Sequence, residues 1–272
     1  DTDLMVNFDA NLKIVRLLFR NTDIQKVEEI ADGICEFKKT KDKRVPEISL
    51  LINSLAGIIT KPFKITKPRL SIADNYNDDF LRVHQTIYKR LLKKNDKGIV
   101  LLHGKPGTGK TSYIRYLAAS VKKNVIFLPP IIAAEITNPD LMNVLINNSD
   151  SIFVIEDAEN IITGREQGRS PVSTLLNLTD GLLADCLNIQ IICSFNTDIA
   201  NIDRALMRKG RLIAKYEFKE LETEKARMLS RKLGFDTEIY KPMTLADIYN
   251  QDEEAFLQRA AYTPIGFNTR NN

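Results

Sequence analysis

Residues Gly104-Lys105-Pro106-Gly107-Thr108-Gly109-Lys110-Thr111 form a complete phosphate-binding loop. They follow the apolar run Gly98-Ile99-Val100-Leu101-Leu102-His103 and open onto the helix-like Ser112-Tyr113-Ile114-Arg115-Tyr116-Leu117-Ala118-Ala119. That strand–loop–helix setting is what the motif requires. Glycines let the backbone curl until successive N–H groups point at phosphate oxygens, and the helix N-terminus adds partial positive charge. The expected binding set is Gly104, Pro106, Gly107, Thr108, Gly109, Lys110, Thr111 and Ser112. Lys110 reaches the β- and γ-phosphates, and the Thr111 hydroxyl sits on Mg²⁺. A nucleoside triphosphate is the expected ligand.

Working outward, three more elements follow. Ser151-Ile152-Phe153-Val154-Ile155-Glu156-Asp157 is an apolar strand ending in two acids, about 45 residues beyond the loop. Such a strand delivers its carboxylates to the C-terminal edge of a sheet, where they can hold Mg²⁺ through water and polarise an attacking water. Ile191-Ile192-Cys193-Ser194-Phe195-Asn196 is an apolar strand ending in an amide that can position the water or contact the γ-phosphate; the same Asn also suits a turn with Thr197-Asp198. Ile202 to Arg211 carries Arg208 and Arg211, three apart around Gly210, a stiff cationic tip.

From Lys97 onward short apolar strands alternate with helices, which predicts a parallel sheet from Ile99–His103, Val125–Leu128, Ile152–Ile155, Ile189–Phe195 and Leu212–Phe218. After Glu220 the pattern turns helical: Thr223 caps one helix, and Thr244–Ile248 and Glu253–Ala260 suggest two more. Upstream, Asp78-Asp79 starts a helix carrying Phe80, His84, Ile87 and Leu91, after an irregular Pro68–Asn77 linker. The N-terminal stretch predicts a helix over Asn11–Phe19, a second from a capping box at Asn21–Gln25, and strands at Ile48–Ile52 and Gly57–Thr60. The fold class is α/β: a P-loop NTPase five-stranded parallel sheet, a C-terminal helical lid and a small N-terminal α+β unit. The expected domains are 1–72, 73–219 and 220–272, the first choosing a client or partner.

Bulk numbers narrow the class further. The 272 residues, 43% hydrophobic and 27% charged, describe an ordinary globular chain, and a net charge of +4 neither demands nor forbids a polyanionic partner. Cys35, Cys186 and Cys193 form no C-x-x-C pair and read as reduced thiols, the last two in apolar stretches suited to a core. With two histidines, neither near a ligand cluster, zinc is not expected. No run approaches the roughly 18 apolar residues of a membrane helix, and the expected location is cytoplasmic.

Residues from about Tyr76 to Ile248 resemble the AAA family of ATPases. The resemblance rests on Walker A (Gly104–Thr111), Walker B (Ile152–Asp157), the helix Leu175-Leu176-Asn177-Leu178-Thr179-Asp180-Gly181, sensor one (Asn196) and the arginine-finger segment Arg208-Lys209-Gly210-Arg211. The Glu156-Asp157 order and the Leu175–Gly181 helix resemble the branch that includes the mitochondrial translocase of the folded Rieske iron–sulfur protein and its bacterial relatives. The resemblance implies an ATP-hydrolysing homo-oligomeric ring with Mg²⁺ and ATP at each subunit boundary, in which Arg208 and Arg211 act in trans. By position Glu156 organises Mg²⁺ and Asp157 is the base, the reverse of the usual Asp-Glu order. Ala246, in Thr244-Leu245-Ala246-Asp247-Ile248, matches the small lid residue that packs on nucleotide, while Leu245 replaces the family's usual glycine.

Threading members of the family carry an aromatic–apolar–Gly triplet in the central-pore loop. Here the stretch reads Pro129-Pro130-Ile131-Ile132-Ala133-Ala134-Glu135-Ile136-Thr137, with neither aromatic nor glycine. A motor that remodels or translocates bulky protein clients by whole-ring motion fits this better than a peptide grip. Two alternatives stand beside it. The basic run Lys38–Arg44 would suit a nucleic-acid-dependent loader or helicase, although no aromatics interleave it. The inverted acid pair would suit an ATP-gated assembly switch with little hydrolysis.

Overall fold

In the computed structural model, residues 3–9, 14–36, 45–54, 57–134, 138–158, 182–196, 207–208 and 210–253 are described. The chain divides into two compact units, Asp1–Val45 and Pro46–Asn272.

The first unit pairs β1 (Leu4–Asp9) with β2 (Ile14–Phe19) in an antiparallel hairpin, followed by α1 (Ile24–Glu36). The expected Asn11–Phe19 helix is therefore a strand over its described part. Val15 and Phe19 share a helical stripe, but they also share one strand face, and Phe19 pairs with Leu4 while Val15 pairs with Phe8. Short apolar runs do not distinguish the two periods, and β-branched residues such as Ile14 and Val15 favour the strand. The α1 start follows the sequence: Asp23 Oδ1 accepts the Gln25 N–H at 3.1 Å.

The second unit is built on a seven-stranded sheet ordered β4-β3-β6-β7-β8-β5-β9. Its members are β3 (Glu47–Ser54), β4 (Gly57–Lys64), β5 (Gly98–Gly104), β6 (Val125–Phe127), β7 (Ile152–Ile155), β8 (Gln190–Phe195) and β9 (Leu212–Phe218). The five expected parallel strands are all present. The sheet exceeds the expected five because β3 pairs in parallel with β6 through Ser49↔Ile126 and Leu50↔Phe127 and carries antiparallel β4 with it. The hairpin assigned from sequence to a 1–72 unit is thus part of the large sheet, recruited by backbone pairing that no local motif announces. Pro62 lies on β4, at the sheet edge, where its missing N–H leaves no ladder bond unmade.

β5, β7 and β8 are buried along nearly their whole length because both sheet faces are covered, which is why they read as unbroken apolar runs. Ile99, Leu101, Phe153, Ile155, Ile191 and Cys193 face one core with α6 (Pro139–Asn147); Val100, Leu102, Val154 and Ile192 face the other with α3 (Asp79–Leu92) and α4 (Lys110–Ser120). At the sheet edge β9 alternates buried and exposed positions instead. Of the three thiols, Cys193 is buried, whereas Cys35 and Cys186 are exposed. Cys186, expected in a core, lies on the open side of α7 (Leu182–Leu187), whose Ala184 and Leu187 take the buried side.

The second core holds an aromatic cluster of Tyr76, Phe80, Tyr113 and Phe218, with edge-to-face Tyr76–Phe80 and Phe80–Tyr113 contacts at 4.9 and 4.7 Å. His84 stands at its margin, Nδ1 at 3.0 Å from the Tyr113 hydroxyl and its ring stacked on Tyr88. Partial burial lowers the His84 pKa from its ordinary 6.5. Below that value the unfolded chain binds a proton that the fold resists. The stabilising contribution is therefore intact above about pH 6.5 and is lost as pH falls below it. Thermal melts should show the wild-type Tm falling more steeply than that of His84→Gln between about pH 6.5 and pH 5.

Beyond β9 lie α8 (Thr223–Leu233) and α9 (Leu245–Tyr249), the described part of the region expected as a lid. Glu222, not Thr223, occupies the α8 cap position, and its N–H is taken by Asn77 Oδ1 at 3.1 Å, a tertiary cap. Thr244 caps α9, accepting the Asp247 N–H at 3.2 Å. No helix among the described residues is long and apolar enough to cross a membrane. The basic run 38–44, the helix expected at 175–181 and the tail beyond 253 lie outside the described residues.

Candidate nucleotide site

β5 delivers the chain to the phosphate loop at Gly104, where φ is +134° and a Cβ would lie 2.1 Å from the Phe218 carbonyl oxygen. Only glycine tolerates that close approach of β9. The loop then turns through Gly107 (φ +79°) and Gly109 (φ +92°), and Gly109 is the residue from which α4 starts. The Thr108 hydroxyl donates to the Lys105 carbonyl at 2.7 Å and braces the turn. Lys110, 7% exposed, donates through Nζ to the Gly104 and Lys105 carbonyls at 2.7 and 2.8 Å. Its ammonium is thus held at the loop's own rim.

A cavity of about 640 Å³ opens beside this loop. Pro106, Gly107, Gly109, Lys110, Thr111 and Ser112 line one side, and Asp157, Ser194 and Asn196 from the C-terminal ends of β7 and β8 line another. Gly104 and Thr108 shape the loop without lining the cavity. This is where ligands of open α/β sheets bind. Asp157 has φ +52°, unusual for a residue with a side chain, and its Oδ1 accepts a 2.7 Å hydrogen bond from Asn196 Nδ2. The third side comes from the lid. The Ala246 N–H donates to the Gly107 carbonyl at 3.0 Å, and Leu245 packs against Gly109, where an added Cβ would meet its Cδ1 at 2.5 Å. Ala246 and Leu245 both line the cavity, so the leucine in place of the usual glycine acts as a cover on the phosphate loop.

Pro68, Arg69, Leu70, Asn75 and Tyr249 complete the lining. Sequence reading takes Pro68–Asn77 as a linker; the segment instead contains the short helix α2 (Ile72–Asn75) and walls the cavity. The one available signal is Tyr76, an aromatic too large to leave in a polar linker, and it is 3% exposed.

Glu156 differs from its neighbour. Its Oε1 is buried without a hydrogen-bond partner among the described residues. Thr111 and Asp157 line the cavity and Glu156 does not; the orphaned Glu156 oxygen and the Thr111 hydroxyl are each hard-oxygen donors of the kind Mg²⁺ takes. Among the described residues no group of three or more His, Cys, Asp or Glu gathers, here or elsewhere. A Mg²⁺ ion commonly takes one or two protein oxygens and completes its shell with water and phosphate, so a sparse donor set suits it.

Arg208 and Arg211 sit apart from all this. Arg211 directly precedes β9, and its carbonyl accepts the Ile99 N–H at 2.8 Å, at the start of β5. The phosphate loop begins at the other end of β5, at Gly104, five residues on from Ile99 or roughly 17 Å along the strand. Neither arginine lines the cavity.

A phosphate loop at the switch point of a mostly parallel sheet, with two acids and an amide on the neighbouring strand ends, defines an α/β P-loop NTPase fold. Residues 100–220 match the ATPase family associated with various cellular activities (AAA). AAA-ATPase At5g17760 of Arabidopsis thaliana is 33% identical over 150 residues, covering 50% of this chain and 29% of that protein. AAA-ATPase At3g28600 of the same plant is 30% identical over 174 residues, 55% of this chain and 36% of the relative. A third, AAA-ATPase At3g28570, mitochondrial, is 30% identical over 141 residues, 46% of this chain and 31% of its own length. The family match covers residues 100–220, the nucleotide domain, and the chain spans about a third of the length of the curated relatives it matches.

Proposed function

We propose that this chain hydrolyses ATP as a homo-oligomeric AAA ring and uses the motion to remodel or translocate protein clients. The observation that carries the ring is the separation just described: Arg208 and Arg211 stand at the opposite end of the sheet from the cavity that holds Asp157 and Asn196. If Arg208 or Arg211 serves a γ-phosphate, it serves that of a neighbouring copy.

The roles follow from position. Backbone N–H groups of the loop and Lys110 bind the phosphates, Thr111 and Glu156 would hold Mg²⁺, and Ala246 with Leu245 closes over the loop. Bound there, Mg²⁺ would neutralise phosphate charge. Asp157 accepts the proton of the attacking water at a carboxylate oxygen, and the Asn196 amide, 2.7 Å away, holds that carboxylate in place. Asp is one methylene shorter than the usual Glu, and the left-handed backbone at residue 157 supports its reach into the cavity.

The client reading rests on the pore segment. Pro130–Ala134 is the short helix α5, with Ile131 76% exposed and Ile132 half-buried against the core. A helix without an aromatic offers no intercalating grip for an extended peptide, which favours a folded or bulky client. The reduced thiols support a reducing compartment such as the cytoplasm, and the mitochondrial label of one relative names the alternative. A second reading, a slow ATP-gated switch, rests on the shorter acid at 157.

The test is specific ATPase activity against protein concentration, with mass measured in parallel by light scattering. Activity per subunit should rise with concentration as rings assemble. Binding without turnover at every concentration would favour the switch, and turnover independent of assembly would remove the shared site.

A further inference from the structure

The segment Ile72–Asp78 is tied to the lid as closely as to the sheet. Lys225 of α8, 18% exposed at its side chain, donates to the Ala73 and Tyr76 carbonyls at 2.9 and 2.7 Å and pairs with Asp78 at 2.6 Å. Those carbonyls close the C-terminal end of α2, where a cation is favoured. Asn77 Nδ2 donates to the Glu220 carbonyl at 2.9 Å, and its Oδ1 caps α8 through Glu222. Asp74 pairs with Lys232, and Asn75 Nδ2 donates to the Tyr249 hydroxyl at 2.5 Å. Each contact is ordinary alone; together they make the segment an extension of the lid.

Tyr76 sits in the middle of that segment and reaches the phosphate loop. Its hydroxyl donates to the Gly109 carbonyl at 3.0 Å, and its ring lies where a Gly109 side chain would clash, Cε1 at 3.2 Å from the ideal Cβ. The same carbonyl accepts the Tyr113 N–H at 2.9 Å, the first backbone bond of α4. Burial, aided by Tyr249, pushes the Tyr76 phenol far above its ordinary pKa, so it remains a donor.

We infer that Tyr76 is a positioning residue for nucleotide binding: it locks the Gly109 peptide at the start of α4 and transmits the state of the lid to the phosphate loop through the Lys225 clamp. The inference rests on the nucleotide-binding reading of the cavity and adds to it a route by which lid position sets affinity. The hydroxyl touches backbone, not ligand, so its loss should alter binding and leave the chemical step alone.

The experiment measures ADP and ATP binding by calorimetry, steady-state turnover and Tm for the intact chain, in wild type, Tyr76→Phe, Lys225→Met and the double variant. Tyr76→Phe keeps the ring and its packing. Its Kd for ADP should rise about fivefold, the equivalent of one lost hydrogen bond, and KM for ATP should rise in step. Its kcat should stay within about twofold of wild type and its Tm within a few degrees. Lys225→Met, which keeps the aliphatic stem, should raise Kd in the same direction, and the double variant should fall well short of the product of the two effects. Unchanged Kd in Tyr76→Phe, or two effects that simply multiply, would overturn the inference while nucleotide binding stands. Should Tyr76→Phe fail to fold, an unchanged Kd in Lys225→Met overturns it equally. Absence of ADP binding by the wild type would instead remove the nucleotide reading itself.

Discussion

Replacing Arg211 with alanine should lower turnover of the assembled protein by about 10³–10⁵-fold while each protomer binds nucleotide as before. The magnitude is that of an arginine stabilising charge on the transferring phosphoryl group. Retained affinity follows from geometry, since Arg211 lies at the start of β9 and does not line its own cavity. Mixing gives the sharper result. Lys110→Ala cannot bind phosphate but carries an intact Arg211, whereas Arg211→Ala carries an intact cavity. Mixed rings of the two should recover a measurable fraction of turnover. No recovery, with mixed assembly shown by mass, would place the arginine's role within one chain.

Asp157→Asn should bind ATP with near wild-type affinity and lose turnover by about 10²–10⁴-fold, the usual contribution of a positioned general base. The change is nearly isosteric, and an amide at 157 can still bond Asn196 with its oxygen as acceptor. Glu156→Gln should act differently. It removes the acid whose Oε1 is buried without a partner among the described residues, so its main expected effect is on Mg²⁺-dependent affinity. Both are read by single-turnover hydrolysis and by nucleotide titration with and without Mg²⁺. Turnover that persists in Asp157→Asn and vanishes in Glu156→Gln with binding intact would exchange the two roles.

What the sequence made legible is what local chemistry dictates. Gly104 and Gly109 announce left-handed turns, the unbroken runs Ile99–Leu102 and Ile191–Cys193 announce strands covered on both faces, and Asn196 emerges at a strand end as expected. What escaped is decided by partners distant in the chain. The β3–β4 hairpin is defined by its pairing with β6, about 75 residues later, and Pro68–Asn77 becomes a cavity wall because Lys225, Glu222 and Tyr249 hold it. The N-terminal hairpin is not legible in the same way, because Ile14–Phe19 satisfies both a helical and a strand period and only its pairing with Leu4–Asp9 decides between them.

The strand order has a consequence for how the molecule comes into being. Val100 on β5 pairs with Ile192 on one side and Ala214 on the other, residues about 92 and 114 positions downstream. Contacts so remote close large loops before they return any stabilisation, which slows folding and concentrates it late. During synthesis the phosphate loop leaves the ribosome long before β9, whose Phe218 carbonyl fits against Gly104. Until that last strand arrives β5 keeps an open apolar edge, so a nascent chain stopped between β8 and β9 would expose the stickiest strand of the fold at the very point where its nucleotide is to bind.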